Sequence, residues 1–251
     1  MKNVKLNNGV EMPILGFGVY LIPDYDECKR AVLDALETGY RLIDTASAYF
    51  NEKAVGDAIK ESGINRKELF ITTKLWHTDS GYEKTKKGFE ASMEKLQLDY
   101  LDLYLIHQPF GDYYGSWRAM EELYENKKIR AIGVCNFYPD RFLDLVEHNK
   151  IVPAVNQIEI HPLFQREYDE SIMKPYGTQM EAWSPLVRGE KILDNETLKN
   201  IGAKYGKTPA QVILRWLIQR NIIVIPKSVH KERIIENFNI FDFELSSDDM
   251  D

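Results

Sequence analysis

Short apolar segments alternate with helical patterns along this chain, and this alternation restricts the possible folds more than any other feature of the sequence. A short apolar run bounded by turn residues predicts a buried strand, whereas apolar residues spaced three and four apart predict the buried face of a helix. We predict eight strands, at residues 14–19, 42–44, 70–73, 101–106, 131–134, 154–158, 179–183 and 222–225. Because helical patterns lie between them, we expect a parallel sheet closed into an α/β barrel.

The first residues predict a β-hairpin in front of this barrel. Residues 4–12 contain two short strand patterns around Asn7, Asn8 and Gly9, and an Asn-Gly pair supplies the positive φ angles of a tight hairpin turn. The chain has 251 residues, and one barrel typically needs about 250. We therefore expect a single (β/α)8 (TIM) barrel domain over residues 1–251 with an N-terminal β-hairpin.

Composition excludes several classes of function. A net charge of −7 without an obvious basic patch argues against binding to nucleic acid. Two cysteines, Cys28 and Cys135, are too few for a disulfide framework and fit a reducing compartment. No apolar run approaches the roughly 18 residues of a membrane span, and the five histidines lack metal-ligand spacing. We expect a cytoplasmic protein with no metal and no membrane partner.

Four polar residues follow the predicted strands at or near their carboxyl ends. Asp44 and Tyr49 follow the second strand, Lys74 the third and His107 the fourth. In a parallel barrel these strand ends meet at one face, which is where barrel enzymes carry their chemistry. A single lysine or histidine after a strand is usually structural, but four such groups on three consecutive strands indicate an active site.

These four groups suit the donation of a proton to a carbonyl oxygen that is becoming an alkoxide. The phenol of Tyr49 is the acid, and an adjacent ammonium from Lys74 would lower its pKa. Asp44 would keep Lys74 charged, and a neutral His107 would fix the direction of the carbonyl oxygen. Since protonation alone does not reduce a carbonyl, a cofactor must supply a hydride.

The motifs that contain these residues resemble those of the aldo-keto reductases, in that family's order. They are DTASAY, TKLW, LYLIHQP, IGVCNF, VNQIEIHP, EAWSPL and VIPKS. The resemblance covers essentially the whole chain and is strongest to bacterial members similar to 2,5-diketo-gluconate reductases.

The resemblance implies NADPH-dependent reduction of aldehydes or ketones to alcohols by a monomer with a small-molecule carbonyl substrate. It implies that Tyr49 is the general acid, assisted by Asp44, Lys74 and His107. Residues matching the family's cofactor contacts are Asn136, Gln157, Trp183, Ser184, Leu186, Lys227, Ser228, Arg233, Glu236 and Asn237. Candidate substrate contacts are Tyr20, Trp76, His107 and Gln108.

Three features depart from the family pattern. Cys135 occupies a position that usually holds serine, which predicts a weaker hydrogen bond to the nicotinamide carboxamide. Gln108 replaces a common tryptophan in the pocket wall. Ser246 predicts a helix N-cap, but the sequence ends at Asp251, so we expect this barrel to lack the C-terminal helix and loop that family members place over the substrate pocket.

Three other interpretations remain open at the level of sequence. Tyr49 and Lys53 match the YxxxK pair of short-chain dehydrogenases, although that fold needs a glycine-rich turn after its first strand. Lys74 in a barrel also fits a Schiff-base aldolase. The third is a non-catalytic NADPH-binding barrel that serves as a sensor or structural subunit.

Overall fold

The computed structural model describes residues 2–187 and 191–251. It begins with the predicted hairpin, in which β1 (Asn3–Lys5) pairs antiparallel with β2 (Glu11–Pro13). Gly9 lies in the connecting turn with φ of +87°, a conformation that favours glycine. The prediction of an N-terminal hairpin is confirmed.

Eight parallel strands follow, each paired with its neighbours in chain order. They are β3 (Phe17–Gly18), β4 (Leu42–Asp44), β5 (Phe70–Leu75), β6 (Leu101–Ile106), β7 (Ile129–Cys135), β8 (Val155–Glu159), β9 (Gln179–Trp183) and β10 (Ile223–Val224). The first and last strands also meet, because Leu15 bridges Val224 in parallel and the Gly16 amide donates to the Val224 carbonyl at 2.8 Å. The predicted (β/α)8 barrel is confirmed.

Ten α-helices lie within the described ranges. They are α1 (Tyr25–Thr38), α2 (Glu52–Ser62), α3 (Tyr82–Leu96), α4 (Tyr113–Glu125), α5 (Pro139–Glu147), α6 (Glu167–Met173), α7 (Glu196–Tyr205), α8 (Pro209–Gln219), α9 (Lys231–Phe238) and α10 (Ser247–Met250). None of the helices in this described part of the chain is both long enough and apolar enough to cross a membrane.

Local sequence signals explain where several helices begin. Thr208 and Gln211 form the reciprocal capping box of α8, and Asp24 accepts a hydrogen bond from the third residue of α1.

The strands themselves are buried almost throughout. Gly16 permits this packing, because a Cβ atom there would lie 2.4 Å from the Leu42 side chain. The buried stripes of the helices cover the outside of the barrel.

The predicted end of the third barrel strand is wrong. The sequence places Lys74 just after the third strand, but β5 continues to Leu75 and Lys74 pairs with Leu105 of β6. A charged residue in an apolar run was interpreted as the end of the strand. It lies inside the strand because its ammonium has a buried carboxylate partner, which makes its burial tolerable.

Candidate active site

A cavity of about 970 Å³ opens where the carboxyl ends of the strands meet. This volume lies within the range of about 300–1,000 Å³ that is usual for small-molecule sites. Every site residue predicted from the sequence lines it, except Lys74. The residues in question are Tyr20, Asp44, Tyr49, Trp76, His107, Gln108, Asn136, Gln157, Trp183, Ser184, Leu186, Lys227, Ser228, Arg233, Glu236 and Asn237.

Lys74 is fully buried and connects two of the predicted catalytic groups. Its Nζ atom donates to Asp44 Oδ1 at 2.5 Å, to the Thr45 carbonyl at 2.9 Å and to the Tyr49 hydroxyl at 3.4 Å. These contacts use all three N–H donors of an ammonium group. The phenol, the ammonium and the carboxylate therefore form one connected chain, as the sequence predicted.

The loop that presents Tyr49 is held in place by hydrogen bonds to its neighbours. Tyr49 ends a short 3₁₀ turn, and Ser47 in that turn donates to the Lys74 carbonyl at 2.9 Å. Buried Asn51 accepts from the Thr45 hydroxyl at 2.8 Å and donates to two backbone carbonyls of the β3–α1 loop at 2.9 and 3.1 Å. The position of the phenol is thus fixed by several partners before any ligand binds.

The pKa of Tyr49 differs from the sequence prediction. Burial is the largest influence and raises the pKa of the phenol, while the charge of Lys74 lowers it, and the result is a pKa raised to about 12. The expected effect of Lys74 is present, but the net shift is upward because the phenol lies in an environment that disfavours the phenolate. Tyr49 is consequently protonated at neutral pH, as a proton donor must be.

His107 has the neutral form that the sequence predicted. Burial, followed by the charge of Lys74 and the nearby ring of His77, lowers the pKa of the His107 imidazole to about 3. Its ring packs edge-on against Tyr49 and Trp76, with centroid distances of 5.5 and 5.1 Å. A neutral imidazole offers one N–H donor beside the phenol, so a single oxygen atom in the cavity can accept from both.

Asn136 links the backbone of His107 to the side chain of Trp183. The indole Nε1 atom of Trp183 donates to Asn136 Oδ1 at 2.9 Å, and Asn136 Nδ2 donates to the backbone carbonyl of His107 at 3.2 Å. Nδ2 keeps one N–H group and Oδ1 keeps one lone pair, so this side chain can offer a donor and an acceptor to a carboxamide.

Gln157 is positioned by two carboxyl groups, one of which the sequence analysis missed. Its Nε2 atom donates to Asp44 Oδ2 at 2.8 Å and to Glu181 Oε2 at 2.9 Å. Both N–H groups are thus used, and the amide carbonyl is left for the cavity that Gln157 lines. The sequence contained a signal for Glu181: this acid lies in an apolar strand two residues before Trp183 and hence on the same face.

The opposite end of the cavity is lined by cations. Lys227 and Arg233 form no ion pair with any carboxylate in the described ranges. The neighbouring Lys231, by contrast, is paired with Asp34 and Glu37 at 3.2 and 2.6 Å. Two cations near the N-terminus of α9 favour an anionic group at this end of the cavity.

The other predicted cofactor residues also line the cavity. Ser184 has a left-handed φ of 51°, and its carbonyl accepts from the Val187 amide in the turn that also contains Leu186. At the cationic end are Ser228, Glu236 and Asn237. Glu236 accepts a hydrogen bond from the Thr208 hydroxyl at 2.6 Å, and this contact links α9 to the start of α8.

The predicted substrate contacts Tyr20, Trp76 and Gln108 surround the catalytic end of the cavity. Tyr20 packs on Tyr49 with a ring distance of 4.9 Å. Leu21 and Phe50 also line this end and are 58% and 88% exposed, and the sequence analysis did not single them out. The rim around the catalytic groups is therefore largely aromatic and apolar.

Two of the three alternative interpretations, the short-chain dehydrogenase and the Schiff-base aldolase, fit this geometry poorly. Lys53 of the YxxxK match is bound to Asp57 at 2.6 Å on the surface, and the barrel is not a dinucleotide-binding doubly wound sheet. Burial would lower the pKa of Lys74, but Asp44 and Tyr49 raise it overall, which opposes the neutral amine that a Schiff base requires. Within residues 2–187 and 191–251, no group of three His, Cys, Asp or Glu side chains is arranged to hold a metal.

Comparisons with known proteins agree with this geometry. The family model described as "Aldo/keto reductase family" matches residues 15–251. The chain is 53% identical over 249 residues to glyoxal reductase of Bacillus subtilis (strain 168), which covers 99% of this chain and 90% of that protein.

Two solved structures have the same fold. A crystal structure of an aldo/keto reductase from Brucella melitensis superposes with a TM-score of 0.96 at 46% identity, covering 99% of this chain and 96% of that one. A Bombyx mori aldo-keto reductase in complex with NADP superposes with a TM-score of 0.94 at 35% identity, covering 99% and 90%. This chain therefore belongs to the aldo/keto reductase family of NAD(P)H-dependent oxidoreductases, which act on carbonyl groups.

Proposed function

We propose that this protein reduces aldehydes or ketones to alcohols with NADPH and that Tyr49 donates the proton. The observation that carries the proposal is the chain from Asp44 through Lys74 to the Tyr49 hydroxyl, with Nζ 2.5 Å from Asp44 Oδ1 and 3.4 Å from the hydroxyl oxygen. This chain lies in a cavity that is also lined by Lys227 and Arg233, for which the described residues provide no carboxylate partner.

The pKa of Tyr49 suits proton donation to an alkoxide. An alkoxide oxygen is comparable in basicity to hydroxide, the conjugate base of water with a pKa of about 15.7. A phenol with a pKa of about 12 therefore gives up its proton to such an oxygen in a favourable step. As the phenolate forms, Lys74 lies next to the new negative charge, and Asp44 keeps Lys74 protonated and in place.

His107 and the aromatic rim direct the substrate. A neutral imidazole beside the Tyr49 ring offers a second donor to the carbonyl oxygen, which fixes the oxygen within reach of the phenol. Trp76 packs on the other side of His107 and restricts the rotation of its ring. The carbon substituents of the carbonyl would then lie against Tyr20 and Phe50, which are apolar and exposed.

The donor and acceptor groups along the cavity fit a nicotinamide dinucleotide. Trp183 offers a flat ring, Gln157 an amide carbonyl and Asn136 an N–H group, which together complement an aromatic carboxamide. When bound, the nicotinamide supplies the hydride that goes to the carbonyl carbon. The residues of this chain orient it, exclude water around the carbonyl and deliver the proton.

Lys227, Ser228 and Arg233 support a preference for NADPH over NADH. A dianionic 2′-phosphate is recognised by an ammonium, a hydroxyl and a guanidinium acting together. Ser228 is buried and its hydroxyl accepts from the His230 amide at 3.1 Å, so its position is defined, while the two cations beside it have no carboxylate partner in the described ranges. NADH lacks the phosphate that these groups would bind.

Glyoxal is the first substrate to test, because the Bacillus subtilis relative is a glyoxal reductase. In that assay Tyr49→Phe should retain affinity for NADPH and lose about 10²- to 10⁴-fold in kcat, the range that a positioned general acid contributes. Tyr25→Phe is the matched control, since this tyrosine binds Asp57 on the surface outside the cavity. Near-normal turnover by Tyr49→Phe would contradict the proposed role of the phenol.

The NADPH preference has a separate test in binding measurements. Lys227→Ala and Arg233→Ala should each weaken NADP+ binding about tenfold, the loss expected for one charge-assisted hydrogen bond, and leave NAD+ binding unchanged. Lys231→Ala is the matched control, because that lysine is already paired with Asp34 and Glu37. Equal losses of affinity for NADP+ and NAD+ would show that these cations do not bind the 2′-phosphate.

A further inference from the structure

Glu181 is a buried acid that the proposed reaction does not use. It lies in β9 with no exposed surface, and it pairs in register with Gln157 of β8 and Ile223 of β10. Its Oε2 atom accepts from Gln157, whereas its Oε1 atom has no hydrogen-bond partner within the described part of the chain. A buried carboxylate oxygen without a partner is costly, so this arrangement favours a neutral carboxylic acid.

The contact between Glu181 and Gln157 determines what Gln157 presents to the cavity. An amide side chain can be reversed when its two ends have similar surroundings. Here Nε2 lies between two carboxyl groups, at 2.8 Å from Asp44 Oδ2 and 2.9 Å from Glu181 Oε2, and both partners accept hydrogen bonds. Glu181 thereby turns the carbonyl of Gln157 toward the cavity and keeps an N–H group on Asp44, which in turn holds Lys74.

We propose that Glu181 is a positioning residue for carbonyl reduction: as a neutral acid it holds Gln157 on Asp44, and its ionisation sets the alkaline limit of the reaction. The inference rests on the proposed function, since it concerns the groups that assist Tyr49. Neutral Glu181 leaves the charges of Lys74 and Asp44 balanced, whereas ionised Glu181 makes the cluster net negative. A negative cluster disfavours the phenolate that remains after Tyr49 has donated its proton.

The electrostatic surroundings agree with this assignment. Burial, followed by the charge of Asp44, raises the pKa of Glu181 to about 8, with Gln157 and Lys74 acting in the opposite direction. Cys135 of β7 pairs in register with Gln157 on the side away from Glu181, and burial raises the pKa of its thiol well above its ordinary value. Gln157 and Ile223, the strand neighbours of Glu181, do not titrate. Glu181 is therefore the member of this cluster that changes charge near pH 8.

Glu181→Gln tests the proposal, because glutamine keeps an acceptor oxygen for Gln157 and cannot ionise. In single turnovers of NADPH with glyoxal, the wild-type rate should fall about threefold or more between pH 7 and 9, since a buried charge shifts neighbouring pKa values by about one unit. Glu181→Gln should show no such fall. Glu52→Gln is the matched control, as this buried acid binds Thr73 away from the cluster, and its profile should follow the wild type.

A second measurement does not depend on activity. The pKa of Glu181 is about 8 in the folded protein, whereas a glutamate in an unfolded chain has a pKa near 4.5. Because the folded state therefore binds one more proton between these pH values, the wild type loses stability relative to Glu181→Gln as the pH rises from about 4.5 to about 8. The melting temperature of Glu181→Gln relative to that of the wild type should therefore rise between pH 5 and 8. A constant difference would mean that Glu181 is ionised throughout and would overturn the proposal.

A third variant isolates the positioning effect. Glu181→Leu removes both the charge and the acceptor, so Gln157 is no longer held, and NADP+ affinity should fall about fivefold relative to Glu181→Gln, the loss expected for one hydrogen bond. Equal affinities would overturn the positioning role. A wild-type rate that stays constant up to pH 9 would overturn the proposed alkaline limit of the reaction. If no carbonyl is reduced at any pH, the proposed function fails, and the melting comparison still decides the ionisation of Glu181.

Discussion

Variants that lack Lys74 can distinguish its contribution to the free energy of unfolding from its contribution to turnover. Lys74 and Asp44 form an ion pair at 2.5 Å with side-chain exposures of 0% and 2%. Lys74→Met leaves Asp44 buried, and among the residues that the structure describes its carboxylate then keeps the N–H group of Gln157 alone as a partner. Breaking a buried ion pair by removing one partner costs about 3–5 kcal/mol, a large part of the 5–15 kcal/mol that stabilises a typical domain.

The double variant Lys74→Met with Asp44→Asn removes both charges and keeps an oxygen for Gln157 to donate to. Because the uncompensated charge is gone, most of the lost stability should return, and the coupling free energy between the two sites should be about 2 kcal/mol or more. Turnover should not return. Without the ammonium, the phenolate of Tyr49 loses the cation beside it, so Lys74→Met and the double variant should both lose about 10²-fold or more in kcat.

Urea unfolding followed by circular dichroism gives the free energies of unfolding, and NADPH oxidation with glyoxal gives the rates. Losses of stability that simply add in the double variant would show that the two side chains are not coupled. Substantial turnover by Lys74→Met would show that the phenol does not depend on the ammonium. Either result would refute the reasoning, whereas recovery of stability without recovery of turnover would support it.

Two further predictions concern the two ends of the barrel. Asp102 is buried near the amino end of β6 between two arginines at 2.6 Å, so Asp102→Ala should lower the free energy of unfolding by about 3–5 kcal/mol while kcat/KM stays near the wild-type value. Trp183→Phe keeps a flat ring but removes the donor to Asn136, so kcat/KM should fall about fivefold while the urea midpoint is unchanged.

The sequence predicted the order of elements because each signal is local. The apolar runs and the Asn-Gly turn act within a few residues, and both form as expected. The strand that contains Lys74 was predicted too short for the same reason. A local pattern cannot show that a lysine will meet a carboxylate from a neighbouring strand, although that partner is what permits its burial.

The predicted site residues came together because a parallel barrel brings all its strand ends to one face. What the sequence did not reveal were contacts across the barrel. Gln157 and Asp44 are 113 residues apart, and Glu181 joins them from a third strand. The exposed side chains of Leu21 and Phe50 at the rim were missed as well, because an isolated apolar residue in a loop carries no pattern.

The sequence by itself determined the barrel, the family and the chemical groups at its mouth, since these follow from periodicity, turn chemistry and motifs. Only the tertiary structure decided the direction in which burial and charge together shift the pKa values of those groups. Burial outweighs the ammonium at Tyr49 and keeps the phenol protonated, and it keeps His107 neutral. A pKa depends on the distance to charges and to water in three dimensions, and that distance exists only after the strands have closed.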